Sequence, residues 1–136
     1  MVLGLLGVAG LLVLSYPAWA EVPDTVAIAQ VLSDPASFNL EVVTVTGTIR
    51  DIRAITVDAE CGTGTGYVLY LSDETGELTI RDEGTCSEEG LAPAVAGHFR
   101  RGERVLVRAA LVEPPGGTPD TSPVEATLVR IDRLND

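Results

Sequence analysis

His98 is the only histidine in the chain, so any imidazole acid–base chemistry would have to run there. It stands before Phe99, Arg100, Arg101 and Gly102, and no Ser-His-Asp or Cys-His spacing surrounds it. Cys61 and Cys86 are the only cysteines. An even count favours a disulfide between them over two free thiols, and two cysteines with one histidine do not make a zinc cluster. Asp82-Glu83 and Glu88-Glu89 offer oxygen ligands to a divalent cation. They lack the alternating Asp/Asn and central glycine of a calcium loop, so a solvated acidic surface is the expectation. The one basic cluster is Arg100, Arg101, Arg104 and Arg108. It has the chemistry to receive a phosphate or an acidic partner, but Glu88, Glu89 and Glu103 are near enough in sequence to offset it. These residues predict no catalytic centre, no metal site and no cofactor.

Charge narrows the partners. The 136 residues carry 20 acidic and 9 basic side chains, a net charge of -11, and every basic residue is arginine. Electrostatic binding to nucleic acid or to an anionic membrane needs a basic face, which such a chain does not offer by composition. A hydrophobic content of 46% excludes a wholly disordered chain.

The first twenty residues explain part of that apolar content. Val2 to Leu14 is a Leu/Val/Gly run, Ser15-Tyr16-Pro17 breaks it, and Ala18-Trp19-Ala20 follows. An apolar stretch followed by small-x-small reads as an export signal cleaved after Ala20, which leaves the mature chain all of the charge. No Lys or Arg precedes the run, which a start placed too far downstream would explain. The rival readings are an uncleaved anchor across residues 2–20, the one route to a membrane partner, and a buried helix. Export to a periplasmic or extracellular space agrees with the paired cysteines.

The elements that must position the remaining side chains follow from periodicity. Residues 21–40 hold a short helix and a lead-in. Asp24 or Thr25 caps the helix, Val26, Ile28, Ala29, Val31 and Leu32 form its apolar face, and Ser33-Asp34-Pro35 ends or kinks it. Glu41 to Ile49 alternates as a strand, with Val43, Val45, Gly47 and Ile49 inward. The alternation slips at Arg50-Asp51, which predicts a bulge or a strand end. Tyr67 to Asp82 predicts a hairpin about Asp73-Glu74-Thr75-Gly76, with Gly76 at positive φ. Pairing Ser72 with Glu77 puts Leu69, Leu71, Leu78 and Ile80 on one face, and Val68, Tyr70, Thr79 and Arg81 on the other. The same register brings Cys61 and Cys86 to one end of the hairpin, with the Gly62-Thr63-Gly64-Thr65-Gly66 run absorbing the mismatch. Ser87 to Phe99 reads as a short, weak helix or a structured loop. Glu103 to Val112 is a further strand, 113–123 a Pro/Gly-rich loop, and Val124 to Leu134 a last strand.

Five strands with a short helix between the third and fourth is the order of an OB-fold Greek-key barrel. The segments Val43-Thr44-Val45-Thr46-Gly47-Thr48-Ile49, Tyr67 to Ile80 with its Asp-x-x-Gly turn, and Arg101-Gly102-Glu103-Arg104-Val105-Leu106-Val107 resemble OB-fold strands one, two with three, and the entry to four. The resemblance spans roughly residues 25–134, with the barrel proper at 41–134. It is closest to small exported bacterial OB-fold proteins and extends to nucleic-acid-binding domains of the tRNA-anticodon type. It implies a ligand surface on the outward faces of strands two and three. Val68, Tyr70, Thr79 and Arg81 would line it, with Thr44, Thr46 and Thr48 beside it. It implies no catalytic residues. The reading is therefore a non-enzymatic exported binding module for a protein or small ligand, with single-stranded nucleic acid the alternative and an enzyme of unreadable site the third.

Overall fold

The computed structural model describes residues 24–114, except 96, and residues 124–134. The expected export signal and residues 115–123 of the expected loop lie outside them. In chain order the elements are α1 (Ile28–Ser33), α2 (Pro35–Phe38), β1 (Val42–Ala59), β2 (Gly62–Ser72), β3 (Glu77–Asp82), β4 (Thr85–Ser87), β5 (Gly90–Ala92), β6 (Arg104–Val112) and β7 (Glu125–Arg133). Five strands close a barrel in the order β1-β2-β3-β7-β6, which is the OB-fold topology, and β4 and β5 pair as a separate hairpin.

Alternation drives the closure. Val43, Val45 and Ile49 of β1, Leu69 and Leu71 of β2, Leu78 and Ile80 of β3, and Val105, Val107, Ala109 and Leu111 of β6 fill one core. The β2–β3 register pairs Ser72 with Glu77, Leu71 with Leu78 and Leu69 with Ile80, as the alternation predicts. Gly47 sits where a Cβ would meet the Ser72 carbonyl oxygen at 2.5 Å, so only glycine lets the two backbones approach so closely.

β1 is longer than its apolar alternation predicts. Its first half pairs with β6 from Val42 to Thr48, and its second half pairs with β2 from Thr48 to Ala59. The slip at Arg50 is a bulge between Ile49 and Asp51, after which Ile52 pairs with Leu69. The run Gly62 to Gly66, which precedes the expected hairpin, is strand and completes a two-stranded arm with the end of β1. Gly64 and Gly66 lie where other elements press against the strand. A Cβ on Gly64 would stand 3.0 Å from the Cβ of Leu91, and one on Gly66 would stand 2.6 Å from the Asp82 carbonyl oxygen.

No helix stands between β3 and β6 among the described residues; the expected one is replaced by the β4–β5 hairpin and a run of turns. Gly90 and Gly97 take positive φ, which breaks the run where a helix would need continuity. The end of the barrel is closed instead by Val95 with Phe99 and Tyr67. Asp82, 3% exposed, holds this plug: its Oδ2 accepts the Val95 N–H at 2.8 Å and its Oδ1 accepts the Gly84 N–H at 3.2 Å.

The opposite end is plugged by α1, whose Ile28 and Val31 are fully buried in the barrel core. Pro35 separates α1 from α2, as the Ser-Asp-Pro signal predicts. The helix is not capped by Asp24 or Thr25. Its first N–H groups donate across the fold, from Ile28 to Asp73 Oδ2 at 2.9 Å and from Ala29 to Thr75 Oγ1 at 2.9 Å. The other Asp73 oxygen accepts the N–H groups of Thr75 and Gly76 and the Thr75 hydroxyl, at 2.7, 3.0 and 2.6 Å. That carboxylate shapes the turn, and Gly76 does not adopt the positive φ expected of it.

Cys61 and Cys86 form a disulfide with Cα atoms 5.7 Å apart, tying the tip of the β1–β2 arm to β4. It closes a separation of 25 residues. Replacing both cysteines by serine should lower the unfolding free energy by about 3–4 kcal/mol, read from urea denaturation.

Burial raises the Asp73 carboxyl, but the four hydrogen bonds donated to it outweigh that and hold its pKa below the ordinary value. Its contribution to stability is therefore complete above the unfolded pKa of about 3.9 and is lost as pH falls through the lower folded value. Asp73→Ala should cost about 1–3 kcal/mol at neutral pH, since it strands the α1 and turn N–H groups. Urea titrations of both proteins at pH 7 and pH 3 should show the gap narrowing in acid.

Candidate ligand face on the outer barrel surface

The bulge at Arg50 decides what this face carries. Past it, Asp51 pairs with Tyr70 and Arg53 with Val68, while Tyr70 pairs with Thr79 and Val68 with Arg81 on the far side. Directly opposed residues share a face. Three strands thus present Asp51 and Arg53, Val68 and Tyr70, and Thr79 and Arg81 together.

The four residues expected on this face are in register, but they are not equally available. Thr79 and Arg81 are exposed, Tyr70 is half-buried, and Val68 is 9% exposed. Val68 is therefore part of the packing, not of the contact surface. Arg53 covers Tyr70, its guanidinium carbon 5.4 Å from the ring centroid, an attractive cation–π arrangement. Arg81 is paired with Glu83 at 3.0 Å.

Asp51 organises the cations. It accepts from Arg53 at 3.1 Å and from Arg101 at 3.1 Å. The Arg53 guanidinium holds the Asp51 carboxyl below its ordinary pKa; partial burial opposes this, and the Ile52 N–H and Arg101 add to it. Beside this pair opens a shallow hollow of about 500 Å³ lined by Arg50, Asp51, Arg53, Tyr70 and Glu77. Two guanidiniums and two carboxylates balance there around one phenol ring.

Periodicity alone missed Arg50, Asp51 and Arg53 as face residues, whereas Glu77 follows from the alternation that places Thr79 and Arg81 there. The signal that could have found them is the slip at Arg50-Asp51. A bulge turns the residues after it onto the other side, and the count then places Arg53 diagonally next to Tyr70.

The basic cluster does not converge. Arg101 reaches Asp51. The Arg100 backbone N–H donates to Glu103 at 2.6 Å, while Arg104 and Arg108 point outward from β6. Four residues apart on a strand, those two stand about 13 Å from each other along it. Arg108 pairs in register with Thr44 and Arg130. Arg104 lines a separate hollow of about 390 Å³ with Thr46, Thr48, Arg50, Ser72 and Asp73.

His98 is exposed in a turn. Its N–H donates to the Val95 carbonyl at 2.7 Å, and its own carbonyl accepts from Arg133. Arg133 also pairs with Glu103 and lies 4.8 Å from the Phe99 ring centroid, so it clamps this turn to β7. That pairing lowers the Glu103 pKa and raises that of Arg133. Both cysteines are consumed by the disulfide. The Asp82 carboxylate is committed to the N–H groups of Gly84 and Val95. Among the described residues no group of three His, Cys, Asp or Glu side chains is arranged to hold a metal ion.

No protein-family model matches the chain, and no curated protein does. Solved structures do. One is the crystal structure of a protein assigned as an aspartyl-tRNA synthetase from Leishmania major Friedlin, with 12% identity and a TM-score of 0.55 over 83% of this chain. This chain spans only 21% of that one. Another is the solution structure of the second OB-fold domain of replication protein A from Methanococcus maripaludis, with 17% identity and a TM-score of 0.48 over 72% of this chain and 88% of that one. The chain has the OB fold, in agreement with its barrel topology.

Asp51→Asn tests whether this carboxylate restrains the face electrostatically. The urea midpoint should stay near that of the parent, because exposed ion pairs add little. Affinity for a short anionic oligonucleotide should rise several-fold at low salt, with Arg53 and Arg101 both released.

Proposed function

We propose that the chain is an exported, non-enzymatic OB-fold binding domain that takes its ligand on the outer face of β1, β2 and β3 around Tyr70. The observation that carries this reading is the hollow beside Tyr70, where Arg50 and Arg53 are matched by Asp51 and Glu77. A charge-balanced site gains little from long-range attraction. Its affinity comes from contact with the aromatic ring and from hydrogen bonds to the four charged groups. That chemistry suits a small polar ligand or a protein loop better than a polyanion. In the same reading, residues 1–20 are the export signal, 21–40 the helical lead-in and 41–134 the barrel. The disulfide supports an oxidising compartment, periplasmic or extracellular.

A second reading, a single-stranded nucleic-acid-binding domain, is favoured by the fold likeness to the protein assigned as a tRNA synthetase. Tyr70 would stack a base, and Arg53, Arg81 and Arg101 would meet phosphates. Against it stand the net charge of -11 and the carboxylate partner that each of these arginines already has.

Titration with single-stranded DNA and RNA oligonucleotides at several salt concentrations separates the two. The first reading expects dissociation constants no tighter than about 10⁻⁴ M at physiological salt. Micromolar binding that weakens steeply with salt, and that Tyr70→Ala abolishes, would establish the second in its place.

A further inference from the structure

The β1–β2 arm has an edge that the barrel leaves open. β6 pairs with β1 only as far as Thr48, and Ile49 is tied by backbone hydrogen bonds to Gly102 and Glu103. From Arg53 to Ala59, β2 runs along one side of β1, and no strand runs along the other among the described residues. Arg53, Ala54, Thr56 and Asp58 are exposed there. In such a strand alternate residues turn their N–H and C=O groups away from the only neighbour, so half of the backbone groups face solvent. Proteins usually blunt such edges with lysine, proline or a bulge. The stretch Arg53-Ala54-Ile55-Thr56-Val57-Asp58-Ala59 contains neither residue and keeps a regular register; its charges, Arg53 and Asp58, stand toward its ends, and three consecutive uncharged β-branched side chains lie at its centre. The disulfide at the arm tip and Leu91 over Gly64 hold the edge in place.

We propose that this edge, Arg53–Ala59, takes an extended basic peptide segment of a partner protein as an added antiparallel strand. Main-chain hydrogen bonds supply the affinity, and the surrounding charge selects the sequence. Asp58 and Glu60 stand at the arm tip, and Glu83, Glu88 and Glu89 belong to the strand ends and hairpin at the same end of the barrel. The two nearby cations, Arg53 at the barrel end of the edge and Arg81 on β3, are already paired, with Asp51 and Glu83. Lysine or arginine at alternate peptide positions would lie beside Asp58. A second copy of the chain fits poorly, because two chains of net charge -11 would bring the same acidic ends together. This surface shares only Arg53, at its barrel end, with the hollow beside Tyr70.

Hydrogen exchange on the full mature chain tests the proposal. The probes are two ten-residue peptides, one alternating threonine with lysine and one alternating threonine with glutamate. The lysine peptide should slow alternate amides between Arg53 and Ala59 at least about tenfold, and the glutamate peptide should leave them unchanged. Asp58→Lys with Glu60→Lys, both on the exposed arm tip, should weaken lysine-peptide binding at least about tenfold, whereas Tyr70→Ala should not change it. Three results would overturn the proposal: no slowing at millimolar lysine peptide, equal slowing by both peptides, or slowing without peptide that tracks a dimer in sedimentation.

Discussion

At Arg50 the first strand carries one residue more than its neighbour can pair, and the rest of the architecture depends on that mismatch. A single 18-residue strand must serve β6 with its first half and β2 with its second. It can do so only by turning sharply, and a bulge supplies both the turn and extra twist. The same residue shift keeps Ile49 and Ile52 on the core side while swinging Asp51 and Arg53 onto the side of Tyr70. Past the bulge the strand leaves the barrel, which makes the arm, its open edge and the position of the disulfide consequences of one extra residue.

Two carboxylates then hold the ends of the barrel closed. Asp73 reaches from the β2–β3 turn to the first N–H groups of α1, and Asp82 reaches from the end of β3 to the Val95 N–H. In both places a side chain from the sheet satisfies backbone donors of a plug that has little regular structure of its own. α1 is six residues long and Val95 lies in a run of turns. Segments so short cannot hold themselves by helical hydrogen bonding, so their order comes from the sheet they cover.

The candidate ligand face is half legible in the sequence. Tyr70, Thr79, Arg81 and their register follow from the alternation of Leu69, Leu71, Leu78 and Ile80, because a one-residue slip would bury the polar set. Val68 belongs to the same alternation yet is buried, since outward position does not guarantee outward exposure on a twisted sheet. The arginines at 100, 101, 104 and 108 looked like a cluster because they are neighbours in sequence. The fold sends Arg101 to Asp51 and separates Arg104 from Arg108 along a strand, so nearness in sequence did not become nearness in space. Asp51 and Arg53 hold the opposite lesson: their importance lies in partners that sequence distance hides.

What the sequence determined by itself is the part governed by short-range periodicity. The period-2 runs set the five barrel strands, the Asp73–Gly76 turn set the hairpin, and the hairpin register brought the two cysteines to one end. Each of these rests on interactions between residues adjacent in the chain or directly across a single turn. The tertiary structure alone decided the cap of α1 by Asp73, the hairpin in place of a helix after β3, and the packing of Leu91 against a strand of alternating glycines. It also decided how the arginines are distributed among the carboxylates. The contacts of Ile28 with Asp73, Gly64 with Leu91, Arg101 with Asp51 and Arg133 with Glu103 join residues tens of positions apart, and local propensity carries no information about which distant groups meet. Only closure of the barrel brings them into contact.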